Sequence, residues 1–221
     1  MRTFLIVLAV IVVVTSAIFL YFWHRAGLLP EWYDREGWEE ARQQAETTAE
    51  RLHQRVGAAP PGELTLTLTD EEVGAILWQN IASRIKGDVP GAIKGLRVQI
   101  QRGVLKAEVV VNLSRLPAGA LPKRARRVQA KLLQTFDFLG RGEVYFRITG
   151  HHKIEDGHLA LDRKATVSIG DLDFTLERLA HILGVEDLLD KKIKVGFDDR
   201  LSIEKIILED DEAVLVGRIQ S

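Results

Sequence analysis

Residues 4–23, FLIVLAVIVVVTSAIFLYFW, run for twenty positions without a charge. No other feature restricts what this chain can fold into as strongly. At ~1.5 Å rise per residue, a helix of that length spans the ~30 Å hydrocarbon core of a bilayer. Tyr21, Phe22 and Trp23 stand at its far end, where amphipathic aromatics favour the membrane–water interface, and His24 and Arg25 close it. A cleaved signal peptide would carry a shorter apolar region and a small-residue cleavage site, and Tyr-Phe-Trp-His offers neither. The expectation is a retained single-pass anchor over residues 1–25, in the cell membrane.

The rest of the chain is then a domain on a tether. Arg2 and the amino terminus oppose Arg25, Arg35 and Arg42, a count that by itself leans against translocating the C-terminal part. The chain has no cysteine, which excludes disulfides, a thiolate nucleophile, a Cys-ligated zinc and a lipidated cysteine. The net charge is -1 but unevenly spread. Residues 84–131 hold twelve Lys/Arg against two acids, whereas 186–212 hold ten acids against five bases.

After Pro30, residues 31–56 place Trp38, Ala41, Ala45, Ala49, Leu52 and Val56 at helical spacing behind an acid-rich start. This predicts a stalk helix with a thin apolar stripe. The breaker run 57–62, with Pro60 and Pro61 between glycines, divides it from the remainder. The expected organisation is an anchor at 1–25, a stalk helix and linker at 26–62, and an α+β hairpin domain at 63–221.

That domain opens with ELTLTLT at 63–69, whose strict alternation reads as a half-buried strand. Thr69 and Glu72 form a capping-box pattern. The helix it starts, expected over residues 70–85, carries Val73, Ile76, Leu77, Ile81 and Ile85 along one side.

Three hairpins follow. A turn at Arg102–Gly103 pairs Ile100 with Leu105, Val98 with Ala107 and Leu96 with Val109; it sets Arg97 opposite Glu108 on the outer face. A second, at Asp156–Gly157, pairs Phe146 with Val167, Ile148 with Ala165, Val144 with Ile169 and Ile154 with Leu159. The third joins 201–208 to 213–219 across an acidic turn, and both of its faces carry apolar groups. Between the hairpins, 121–139 and 174–192 show helical periodicity, the latter breaking at Gly184. Lys123, Arg124, Arg126, Arg127 and Lys131 are interleaved in the former.

Catalytic chemistry has little to stand on. His151 and His152 point to opposite faces of a straight strand, and His158 lies well along the ladder, so one metal ion is hard to place. The string Thr166-Val-Ser-Ile-Gly170 is mid-strand rather than a nucleophile elbow. No glycine-rich loop introduces a phosphate-binding helix. No enzyme activity, cofactor or metal is expected. The basic run 123–131 reads as a solvated face or as a site for anionic headgroups; without interleaved aromatics it does not read as a nucleic-acid surface.

The anchor, ELTLTLTDEEVGAIL, the long amphipathic hairpins, Val167-Ser-Ile-Gly170 and the closing LSIEKIILEDDEAVLVGR together resemble the bacterial membrane-anchored YpmS-like and LmeA-like proteins. The resemblance covers about residues 63–219; the basic 121–139 segment departs from it. It implies an extracytoplasmic domain, a long curved antiparallel sheet wrapped around a helix as in tubular lipid-binding domains, and a lipid-binding or lipid-shuttling role. It supplies no catalytic residues.

One helix ~10 Å wide covers about two strands spaced ~4.8 Å apart. Either other helices complete an ordinary packed core, or strands are left over for an acyl chain. The candidate lining of such a lipid site is Val73, Ile76, Leu77, Ile81, Val98, Ile100, Val109, Phe146, Ile148 and Val167. Its headgroup would meet Lys123, Arg124, Arg126, Arg127 and Lys131. The alternative is an envelope scaffold or interaction protein without a bound ligand.

Overall fold

The computed structural model describes residues 25, 27–84, 89–116, 119, 121, 123–150, 152–155, 158–189, 193–194 and 200–220. The expected anchor at 4–23, Ile85, His151 and the Asp156–Gly157 turn lie outside them. Among the described residues no helix is long and apolar enough to cross a membrane.

The fold is α+β, and its strands are antiparallel. In chain order the elements are α1 (Trp38–Gly57), β1 (Gly62–Thr69), α2 (Asp70–Arg84), the single turn α3 (Val89–Ala92), β2 (Ile93–Gln101), β3 (Val104–Val111) and α4 (Lys123–Thr135). Then come β4 (Val144–Gly150), β5 (His152–Glu155), β6 (His158–Leu161), β7 (Thr166–Ile169), β8 (Leu172–Thr175), α5 (Leu176–Leu183), β9 (Ile193–Lys194), β10 (Leu201–Leu208) and β11 (Glu212–Ile219).

The described strands form three hydrogen-bonded sheets rather than one long curved sheet: β1-β11-β10, β2-β3-β4-β7-β8 and β5-β6-β9. In the first, the closing strand β11 lies between its hairpin partner β10 and the domain's opening strand β1, the latter a pairing far apart in sequence.

Local chemistry explains most of the turns and caps. The Thr69 hydroxyl accepts from the Glu72 amide at 3.3 Å while Glu72 Oε2 accepts from the Thr69 amide at 3.0 Å, the reciprocal cap that starts α2. Arg102 and Gly103 both sit at positive φ, 54° and 73°, as a two-residue hairpin turn demands. The expected register of that hairpin holds from Gln101–Val104 to Gly95–Val110, with Ile100 facing Leu105 and Leu96 facing Val109, before shifting at Ile93.

The second hairpin departs from the expectation drawn from its turn. The turn-proximal half keeps the expected pairing, Ile154 with Leu159 and His152 with Leu161. Beyond it the ladder has slipped by two: Phe146 faces Ile169 and Ile148 faces Val167, not Val167 and Ala165. Asp162 is the cause. Its carboxylate accepts from the Lys164 amide at 2.9 Å and its carbonyl from the Ala165 amide at 2.8 Å, folding the surplus residues of the returning strand into a turn. Gly150 permits the resulting close approach, since a Cβ there would lie 2.8 Å from that of Ala165. A slip of two keeps every side chain on its face.

The helices correct several expectations. The stalk helix begins at Trp38, where its stripe does, rather than at residue 31, and α1 lies along the domain with Ala49, Leu52 and Val56 buried. Burying Leu52 and Val56 contributes roughly 1.5–3 kcal/mol each. Residues 27–37 instead run as turns over the outer face of the five-stranded sheet. Trp32 there meets Tyr145 edge-on at 6.5 Å and abuts Gly95, where a Cβ would lie 3.2 Å from its ring.

Glu108 is buried on that same face. The carboxylate is 1% exposed, accepts a hydrogen bond from the Tyr145 hydroxyl and pairs with Lys106 at 3.1 Å. Arg97 stands opposite in register as expected, but it is exposed and Lys106 takes the ion pair. Burial, then the Glu108 hydrogen bond, pushes the Tyr145 hydroxyl well above its ordinary pKa.

The segment 121–139 shortens to α4 plus a 3-10 turn at Asp137–Gly140. In 174–192, Phe174 belongs to strand β8. The helix starts behind a Thr175 cap and ends at left-handed Gly184, the expected break.

Two apolar clusters result. One gathers Trp78, Leu139, Val144, Val167, Ile169, Leu179 and Leu183 beneath the five-stranded sheet. The other gathers Leu52, Val56, Leu66, Leu68, Ile100, Ile203 and Leu215 under β1-β11-β10. Helices α1 and α2 contribute to both.

Candidate functional site

Strand β2 is an edge of the five-stranded sheet. The two-residue turn makes Gln101 and Val104 the closing pair, so alternation directs the N–H and C=O of Leu96, Val98 and Ile100 away from β3. Ile100 is satisfied on that side. Its amide donates to Asp70 Oδ1 at 3.0 Å and its carbonyl accepts from the Asp211 amide at 3.1 Å. Burial, set against that hydrogen bond, raises the Asp70 carboxyl above its usual pKa, and Asp211 nearby adds to the shift. Among the described residues, the outward backbone groups of Leu96 and Val98 have no hydrogen-bond partner.

A cleft of about 420 Å³ lies along this stretch of edge, walled by α1 and α2. Trp38, Ala45, Ala75 and Trp78 make its apolar part, and Gln44, Thr48, Asp70 and Glu71 its polar part. Trp38 and Trp78 meet edge-on at 5.6 Å. The Trp78 indole donates to Glu46 at 3.3 Å, whereas the buried Trp38 Nε1 has no acceptor among the described residues. The volume falls within the ~300–1,000 Å³ of ordinary binding clefts. Open main-chain groups beside adaptable polar side chains suit an extended backbone. They supply no nucleophile with a base beside it. Among the described residues no three His, Cys, Asp or Glu side chains converge as metal ligands.

The residues expected to line a lipid site divide between the two cores. Val98, Ile100 and Val167 are buried. Ile81, Val109, Phe146 and Ile148 are half-buried against the first cluster, and Val73 and Ile76 against the second. Leu77 is half-buried. The strand surface that α2 cannot reach is met by Val128, Leu132 and Leu133 of α4 and Leu179 and Leu183 of α5, together with Trp38 and Ala45 of α1.

The expected headgroup residues do share one helix. Lys123, Arg126, Arg127 and Lys131 are exposed on α4, which also holds Arg124 and contains no acid. Arg127 reaches α5 and the turn after it, donating to Asp187 at 2.9 Å and to the Gly184 carbonyl at 3.0 Å.

Sequence reasoning passed over Trp78, the largest fully buried side chain among the described residues, and the cleft it lines. The available signal was a helix apolar on more than one side, since Ala75 and Trp78 lie off the Val73–Ile76–Leu77 stripe and such a helix is enclosed. It also passed over Glu108, which period-two alternation assigns to solvent. Comparison with known families, curated proteins and solved structures finds no match for this chain.

Proposed function

We propose that this chain is a non-catalytic interaction module, held at the outer face of the cell membrane by residues 4–23, that receives an extended segment of a partner protein along β2. The observation that carries this reading is the open edge at Leu96 and Val98 inside a 420 Å³ cleft. Main-chain pairing would supply affinity, and the mixed walls would select alternate side chains, as in strand addition generally. The acidic turn Asp210–Asp211 stops the open stretch, because Asp211 already occupies Ile100.

Peptide display against the detergent-solubilised full chain tests it. Extended peptides should be enriched and should protect the Leu96 and Val98 amides from exchange. Ala41→Trp, an exposed position on the cleft wall, should abolish both effects. Binding that Ala41→Trp leaves unchanged would sink the proposal.

A second reading, lipid binding or shuttling, draws support from the acid-free cationic face of α4, whose opposite side is seated on the cluster that holds Phe146 and Ile148. Lipid co-purifying with the full chain and lost in Ile76→Trp or Leu77→Trp would favour it. The same lipid retained in both folded variants would count against it.

A further inference from the structure

The chain past the apolar run is latched to one end of the five-stranded sheet. The Arg25 guanidinium donates to Asp171 Oδ2 at 2.8 Å, and the Asp171 amide donates back to the Arg25 carbonyl at 2.9 Å. Farther along the same strap, Tyr33 and Arg35 both donate to Glu143 Oε2, at 3.1 and 2.6 Å. Asp171 lies in the β7–β8 turn and Glu143 immediately precedes β4, so both latches grip the same end of the sheet. Arg25 stands two residues beyond Trp23, and an extended chain covers at most ~3.6 Å per residue. If residues 4–23 span a bilayer, that end of the sheet is held within about 7 Å of its boundary. Leu28 and Leu29, 40% and 38% exposed, are among the largest apolar side chains left uncovered.

Helix α4 lies at that same end. Val111 of β3 faces Val144 of β4, and the Phe146–Ile169 register carries that line across to Asp171. Two strand spacings make this about 10 Å. Just past Val111, the Leu113 and Leu116 carbonyls accept from the buried Gln129 side chain of α4 at 2.9 and 3.3 Å. Its basic side faces outward there. Among the described residues, Asp171 pairs with Arg25, Glu143 with Arg35, Asp187 with Arg127 and Glu186 with His181. Lys123, Lys131 and Arg115 have no acidic partner among the described residues, and Arg126 donates to the Leu121 carbonyl.

From this placement we infer that the exposed face of α4, with Arg115 beside it, rests against an anionic lipid surface, fixing the domain with its β7–β8 end toward the membrane and the Arg102–Gly103 turn away from it. The inference rests on the tethered reading of residues 4–23 and is independent of the β2 cleft. Cations within a ~8 Å screening length of anionic headgroups are attracted to them, and the attraction weakens with salt.

The absence of cysteine makes single-site labelling direct. The full chain carrying Ala130→Cys, which is exposed between Arg126, Arg127 and Lys131, is labelled with an environment-sensitive fluorophore. It is reconstituted into vesicles of phosphatidylcholine with or without phosphatidylglycerol and with headgroup-quencher lipid; Gln101→Cys serves as the distal control. Quenching at 130 and none at 101 is expected, stronger with phosphatidylglycerol. Each of Lys123→Gln, Arg126→Gln and Lys131→Gln should lower the membrane-apposed population about fivefold. A chain that floats with the vesicles but leaves position 130 unquenched, or quenches 101 instead, overturns the orientation while the tether stands. A chain that fails to float overturns both.

Discussion

Paired cysteines can read the register of the second hairpin directly. In the structure Thr149 faces Thr166, so their Cα atoms stand at the ~4.5–5.5 Å of opposed antiparallel residues, within disulfide reach. The turn-derived register would instead set Arg147 opposite Thr166. In the observed register that pair is offset by two residues, about 6.8 Å along the strand, which puts its Cα atoms about 8 Å apart and beyond reach. Thr149→Cys with Thr166→Cys should therefore oxidise readily, with no native thiol to compete. The closed loop of about 17 residues restricts the unfolded chain by about 3 kcal/mol. For a chain of this size that is a rise of about 6–12 °C in Tm, reversed by reductant. Thiol titration and thermal melts with and without reductant give the answer. Should Arg147→Cys with Thr166→Cys close instead, the two-residue slip at Asp162 is wrong.

Two further perturbations follow from the strap and the cleft. Tyr145→Phe strips the buried Glu108 carboxylate of its hydroxyl donor and should cost ~1–3 kcal/mol. Tyr145→Ala should cost ~3–5 kcal/mol, as much as Phe146→Ala; a near-neutral urea midpoint for Tyr145→Ala would show that Trp32 does not cover that face. Because burial raises the Asp70 carboxyl, the folded state keeps a proton that the unfolded chain has lost. This component of stability is fully present below the unfolded pKa and is lost as pH rises through the raised folded value. Asp70→Asn keeps an acceptor for the Ile100 amide and should flatten that limb in urea midpoints taken across the acid range. A parallel pH curve would remove burial as the cause.

Period and turn chemistry determined much of this protein from the chain alone. The ELTLTLT alternation, the Thr69–Glu72 cap, the break at Gly184 and the register of β2 with β3 from Gly95 onward are set by local patterns in the sequence. Each is satisfied locally, so a reading of neighbours finds it. The faces of β4 and β7 were legible for the same reason, and they survived the slip because two residues preserve alternation.

What lay beyond the sequence depended on groups distant in it. The slip needs the Asp162 turn and the closeness of Gly150 to Ala165, which a count from the Asp156–Gly157 turn does not register. Pairing β1 with β11 divides the strands into separate sheets, and hydrophobic burial is indifferent to sequence distance. Glu108 reads as a solvent residue in its strand, yet it is buried beside Tyr145, against which Trp32, far earlier in the chain, packs edge-on. The cleft exists for a similar reason. Leu96 and Val98 are ordinary strand residues, and only the sheet order leaves their backbone unpaired while α1 and α2 stand on either side.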